Sequence, residues 1–214
     1  MLVKQRMTTH PITITTDTPV SESLSFMRQN NIRRLPVLNK KGELAGIVSE
    51  KDLLYASPSP ATSLSVYEVG YLLTKLKVKT IMAKDVITVA ANAPLEEAAR
   101  IMVDNKIGGL PVMKDGELVG IITETDIFTT ILEMLGAREQ GLRVTIHAEN
   151  KPGLLNRITR AIAELGGDII ALGTFYGDDR ATGIVMSKLR GVAEEPLLAA
   201  MDKLGIQVED IRSV

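Results

Sequence analysis

The feature that most constrains this chain is that it carries one pattern twice. Met7-Thr8 matches Met82-Ala83, Ile12-Thr13-Ile14 matches Ile87-Thr88-Val89, and Pro19 matches Pro94. Ile32 matches Ile107, and Leu35-Pro36-Val37 matches Leu110-Pro111-Val112, all at an offset of 75 residues. The offset falls to 74 for Gly46 with Gly120 and for Asp52 with Asp126. The lost residue lies between Asn39-Lys40-Lys41-Gly42 and Lys114-Asp115-Gly116, two polar turns where a change of length is tolerated. One such unit has a single apolar sheet face that it cannot bury alone, so two units are expected to pack face to face.

Each repeat reads strand, helix, strand, strand, helix. In the first, Ile12-Thr13-Ile14 alternates like a short strand. Thr18-Pro19 opens a helix, with the hydroxyl expected as N-cap and proline as first helical residue. Val20, Leu24 and Met27 make its apolar stripe. Leu35–Leu38 and Leu44–Val48 form a hairpin around Lys41-Gly42, and Ser49 ends the strand and caps the next helix. In the second repeat Pro94 and Thr123 take the same places as Pro19 and Ser49. Repeat one covers about 1–56, a connector about 57–76, and repeat two about 77–135. Between the repeats Ala56-Ser57-Pro58-Ser59-Pro60 reads as stiff and extended, and Leu64–Leu76 as a helix interrupted by Gly70.

The chemistry is concentrated in Gly46-Ile-Val-Ser49-Glu-Lys-Asp52 and its copy Gly120-Ile-Ile-Thr123-Glu-Thr-Asp126. A hydroxyl at the start of a helix sits where N–H groups and the dipole favour a phosphate. A carboxylate three residues on can accept both hydroxyls of a ribose diol. Glycine permits close approach of a ligand to the backbone. The same spacing also fits a capping box, in which hydroxyl and carboxylate satisfy the helix's own amides. Two copies in register favour a ligand-binding role without removing that alternative.

On these residues the chain resembles a tandem pair of CBS (cystathionine-β-synthase type) domains over about Met1–Leu135. The resemblance implies a pseudo-two-fold module with two clefts for AMP, ADP, ATP or a related adenosyl compound, with magnesium accompanying ATP. It assigns Ser49 and Thr123 to phosphate and Asp52 and Asp126 to ribose. The adenine is expected against Ile12, Thr13, Leu35 and Pro36, or Ile87, Thr88, Leu110 and Pro111. The repeats differ before the LPV strand, where Arg33-Arg34 stands against Gly108-Gly109. Guanidinium groups bind phosphates bidentately, so Arg33 and Arg34 are candidates for additional phosphates, with solvated surface residues as the alternative.

Residues 136–141 read as a polar linker bounded by glycines, after which the repeat stops. Leu142, Val144, Ile146 and Ala148 alternate with polar residues as in a half-buried strand. Leu154, Leu155, Ile158, Ala161, Ile162 and Leu165 then follow at helical spacing up to Gly166-Gly167. Strands at 169–176 and 181–189, joined by Gly177-Asp178-Asp179, a helix at about 194–204 and a strand at 206–214 complete a ferredoxin-like βαββαβ order. The fold class is therefore mixed α+β. The turn Asn150-Lys151-Pro152-Gly153-Leu154 resembles that of ACT regulatory modules over 142–214, although that family more often has aspartate where Asn150 stands. The resemblance implies a small-ligand site at this turn, commonly for an amino acid, between paired domains; a turn that serves dimerisation alone is the alternative. A CBS pair followed by an ACT domain is similar to acetoin-utilisation-type regulatory proteins.

Composition narrows the remaining classes. Net charge is −1 and only three Phe and four Tyr are present, so neither a cationic footprint nor stacking platforms for nucleic acid are expected. Cysteine is absent, which excludes disulfides and thiolate chemistry, and His10 and His147 stand in no ligand pattern. His10 reads as a structural loop residue and His147 as a surface one. No apolar run approaches the roughly 20 residues of a membrane helix, and no leader is read at the N-terminus. A cytoplasmic, non-catalytic regulatory homodimer with an unidentified protein target is the expectation. A dimerising interaction module, or a regulatory subunit of an enzyme or transporter with no bound nucleotide, is the rival.

Overall fold

The structure is a computed structural model and describes residues 1–56, 65–177 and 181–214. Of the expected extended stretch, Ala56 instead has helical backbone, closing the helix before it; residues 57–60, Leu64, and Asp178-Asp179 of the expected turn lie outside the described residues. The chain divides into two compact units, Met1–Ile127 and Phe128–Val214.

In the first unit, β1 (Thr8–Thr9) and β2 (Ile14–Thr15) precede α1 (Val20–Gln29), β3 (Arg34–Leu38), β4 (Leu44–Ser49) and α2 (Glu50–Tyr55). After α3 (Val66–Lys75) the plan recurs as β5 (Val89–Ala90), α4 (Leu95–Asn105), β6 (Gly109–Lys114), β7 (Glu117–Thr123) and α5 (Glu124–Met134). One sheet runs β2-β3-β4 and the other β1-β7-β6-β5, each with one parallel pairing, β2 with β3 and β5 with β6. The apolar stripe is as expected: Val20, Leu24 and Met27 are buried with Leu35, Val37, Val48 and Leu53 in the core of repeat one. The start of α1 differs. Pro19 is the N-cap, and the Thr18 hydroxyl accepts from Thr15 N–H at 3.1 Å, closing the turn before the helix. Ser65 caps α3 through a capping box with Glu68, a Ser-x-x-Glu signal that the sequence reading passed over.

The repeats exchange their N-terminal arms. A 3₁₀ turn at Val3–Gln5 buries Val3 in the core of repeat two, and its counterpart at Val78–Thr80 buries Val78 in that of repeat one. Each buried valine is worth about 1.5–3 kcal/mol. The backbone bonds follow the repeat offset: Val3 N–H to Ala93 O and Val78 N–H to Thr18 O, both 3.0 Å. Next to these, Thr8 pairs with Ile121, and Ala83 with Ile47. The exchange explains the motif glycines. A Cβ on Gly46 would stand 2.5 Å from Met82 Sδ and 2.9 Å from Ala83 O; on Gly120 it would stand 2.5 Å from Met7 Sδ and 2.9 Å from Thr8 O. These glycines admit the other repeat's arm rather than a ligand, which corrects the expectation and accounts for the repeated methionine.

The second unit contains the C-terminal half of α5, then β8 (Leu142–Glu149), α6 (Leu154–Glu164), β9 (Asp168–Tyr176), β10 (Thr182–Arg190), α7 (Glu194–Lys203) and β11 (Gln207–Ser213). The antiparallel sheet runs β11-β8-β10-β9, a ferredoxin-like arrangement. Its core joins Val144, Ile146, Ile158, Ile162, Leu197 and Met201. Leu155 departs from the expected stripe and is 40% exposed. The stretch 136–141 is not a free linker. Lys188, only 5% exposed, donates from Nζ to Gly136 O at 3.0 Å, and Gly141 and Val214 exchange both backbone bonds.

Candidate functional site

Two cavities lie in the first unit, and each combines both repeats. The larger, about 530 Å³, brings Ser49 and Asp52 to Ala83, Asp85 and Ile87 of the other repeat's arm. The smaller, about 310 Å³, brings Thr123 and Asp126 to Thr8, His10 and Ile12. The arm exchange is what brings each motif opposite its neighbour's strand. Sequence spacing offered no means of choosing this pairing.

At the first motif Ser49 is the N-cap of α2. The carboxylate oxygen Oδ2 of Asp52 accepts from Ser49 N–H at 2.8 Å and from Ser49 Oγ at 2.7 Å, while Ser49 Oγ accepts from Asp52 N–H at 3.2 Å. Glu50 N–H is held by Arg33 O at 3.0 Å, as Glu124 N–H is by Gly108 O at 3.1 Å. The capping-box alternative is thus part of the structure, and most amides at this helix start are already engaged. Asp52 Oδ1 accepts no bond from any described residue and remains open to a donor in the cleft. At the second motif Asp126 Oδ2 accepts from Thr123 N–H at 2.8 Å and Thr123 Oγ1 at 2.7 Å.

Ile12 and Ile87, 40% and 39% exposed, present apolar surface to their cavities. Leu35 and Leu110 do not: both are wholly buried in the repeat cores, and the buried Pro36 and Pro111 likewise line neither cavity. Leu35 and Leu110 support the walls from behind in the helix-packed cores, whereas Pro36 and Pro111, one residue on, point to the opposite sheet face. Thr13 and Thr88 also line neither cavity.

Arg33 and Arg34 line both cavities. Arg34 stands opposite Ser49 in the strand register, and its side chain extends to Gly108-Gly109. A Cβ on Gly108 would collide with Arg34 Nη2 and lie 2.5 Å from Glu124 Oε2; one on Gly109 would lie 3.0 Å from Arg34 Cδ. The Arg-Arg/Gly-Gly difference is therefore complementary, one repeat supplying the side chain and the other the space. Burial pulls the Arg34 guanidinium below its ordinary range; Glu124 opposes this, Arg33 adds to it, and Asp52 opposes it again. Sequence reasoning also missed Lys106, Glu124 and His10 as lining residues. Lys106 and Asn31, 75 residues apart, share left-handed backbone at φ 55° and 51°, and their equivalence was the available signal.

In the second unit a cavity of about 220 Å³ is lined by Asn150, Leu154, Leu155, Phe175 and Tyr176 with β10 residues. Lys151, Pro152 and Gly153, expected at this site, do not line it. Lys151 is paired with Glu149 at 2.7 Å on the surface, and Gly153 is the N-cap of α6. His147 faces Glu209 at 3.3 Å on the exposed sheet face.

The CBS domain family model matches residues 3–59 and 78–133, the two halves just described. The chain belongs to the CBS domain family. Solved CBS relatives include a Vibrio cholerae protein ascribed to acetoin utilization, with 33% identity and a TM-score of 0.53 over 64% of this chain and 95% of that one. A CBS domain pair in complex with 5′-methylthioadenosine and S-adenosyl-L-methionine is 27% identical, with a TM-score of 0.52 over 65% of this chain and 98% of that one. A third, CBSX2 in complex with AMP, is 28% identical, with a TM-score of 0.51 over 61% of this chain and 96% of that one. Adenosyl ligands are thus bound by solved proteins similar to this CBS pair. Among the described residues no helix is long and apolar enough to cross a membrane.

Proposed function

We propose that this CBS protein is a non-catalytic regulator that binds adenosyl ligands in its two cross-repeat clefts. One observation carries the reading. The same arrangement, a hydroxyl and carboxylate of one repeat facing an isoleucine of the other, occurs twice, in a chain whose solved relatives hold AMP and S-adenosyl compounds. In this reading Ile87 or Ile12 packs on the adenine, Asp52 or Asp126 accepts the ribose hydroxyls, and Ser49 or Thr123 meets phosphate. Arg33 and Arg34 add contacts to further phosphates, with magnesium accompanying ATP. Ligand occupancy acts on a protein target by favouring one of two states that bind it unequally.

Calorimetric titration with AMP, ADP, ATP and S-adenosylmethionine tests the reading. Asp52→Ala and Asp126→Ala should each weaken one site by roughly ten- to a hundredfold, the worth of hydrogen bonds to a charged group. Saturation at 100 times Kd should stabilise the fold by about 2.7 kcal/mol. Absence of binding to all four would leave a dimerising interaction module as the better account.

For the C-terminal unit the cavity beside Asn150 and Leu154 supports an ACT-like site for an amino acid, with domains paired in a homodimer. Sedimentation should give a dimer, and some member of a panel of amino acids should raise the melting temperature. A monomer with no response to any of them would remove this part of the reading.

A further inference from the structure

Arg34 lines both clefts, and repeat two has glycine in its place. Its backbone pairs with Ser49, the hydroxyl of the larger cleft, and its side chain rests against Gly109, which pairs with Thr123, the hydroxyl of the smaller. The guanidinium therefore lies between the two motifs, with Glu124 beside it, and no second arginine answers it from the other repeat. A side chain at 108 would have to displace the Arg34 guanidinium and the Glu124 carboxylate from the space they share, and one at 109 would press on Arg34 Cδ.

We propose that Arg34 is a single phosphate-binding group shared by the two clefts, so that a phosphorylated ligand in one withdraws it from the other. The proposal rests on the adenosyl reading above and adds that nucleotide occupancy is antagonistic between clefts, whereas phosphate-free adenosyl ligands occupy them independently. Glu124 stands beside the guanidinium and favours its charged form; a phosphate in either cleft draws Arg34 to itself by bringing a denser negative charge within bidentate reach.

The test compares ADP with 5′-methylthioadenosine, which has no phosphate. Calorimetry on the intact protein gives the overall constant for filling both clefts. The Asp52→Ala and Asp126→Ala variants give each cleft's constant with the other disabled. For methylthioadenosine the overall constant should equal the product of the two single-cleft constants. For ADP it should fall short by roughly ten- to a hundredfold, the worth of one charge-assisted pair. Arg34→Gly, which reproduces the Gly109 residue of the other repeat, should abolish the shortfall and weaken ADP at each cleft while leaving methylthioadenosine unchanged. Thermal melting of that variant checks that it is folded. An ADP constant that equals the product in the intact protein, or a shortfall that survives Arg34→Gly, would overturn the proposal. Failure of both ligands to bind would instead overturn the adenosyl reading, and this proposal with it.

Discussion

The two clefts are made from the same backbone and different side chains. Thr8 and Ala83, Ile12 and Ile87, Ser49 and Thr123, and Asp52 and Asp126 occupy equivalent places. Around them His10 stands against Asp85, Asn31 against Lys106, Lys51 against Thr125, and Arg33-Arg34 against Gly108-Gly109. What recurs is what the arm exchange and the helix start require. What differs lies on the cleft walls, where nothing in the packing forces a match. A duplicated scaffold of this kind keeps its geometry while its two sites diverge in the ligands they prefer.

Enlarging the motif glycines should break both halves most severely. Gly46→Val and Gly120→Val each force a Cβ against a backbone carbonyl of the exchanged arm, and should cost about 1–3 kcal/mol in a denaturant titration. Comparable losses are expected, because the distances match. A loss in only one of them would mean that the exchange holds just one repeat in place. Next in size, Ser49→Ala removes the cap of α2 and should cost about 1 kcal/mol, as well as weakening the larger cleft. Lys106→Asn sharpens the comparison by giving the larger cleft its counterpart's residue. Asparagine tolerates left-handed backbone better, so stability should rise by roughly 0.5 kcal/mol. Phosphate-bearing ligands should meanwhile bind that cleft a few-fold more weakly, as read by calorimetry.

The smallest expected effect concerns pH. Lys79 lies 2.8 Å from Asp17 and holds its carboxyl below the ordinary value, by hydrogen bond first and charge second. Repeat two has Asn92 and Lys4 at these places. A carboxylate with a lowered folded value adds stability that is full above the ordinary 3.8 and is lost as pH falls through the folded value. Asp17→Asn should therefore lower the urea midpoint slightly at neutral pH and leave it unchanged in strong acid. The pair is exposed, so a large neutral-pH loss would contradict this account.

Much of the fold was legible because it is periodic. The 75-residue offset, the turn glycines and the alternating strands specify βαββα twice and βαββαβ once without reference to distant contacts. The motif residues were legible for the same reason. The pairing of motif with strand was not, since the exchange depends on Val3 and Val78 finding each other's cores across 75 residues. Leu35, Pro36, Leu110 and Pro111 were misjudged because their recurrence reflects burial, and recurrence alone does not separate a core from a cleft wall. Arg34 was recognised as a candidate, but its place between two cavities depends on what glycine leaves open at 108 and 109.

The central claim, that each cleft joins the motif of one repeat to the arm of the other, is tested most directly by counting AMP sites in two double variants. Asp52→Ala with Ile87→Glu damages one cleft twice and should leave one calorimetric site at its normal affinity. Asp52→Ala with Ile12→Glu damages both clefts and should leave none. The opposite result, one site surviving in the second variant and none in the first, would mean that each cleft is built within a single repeat.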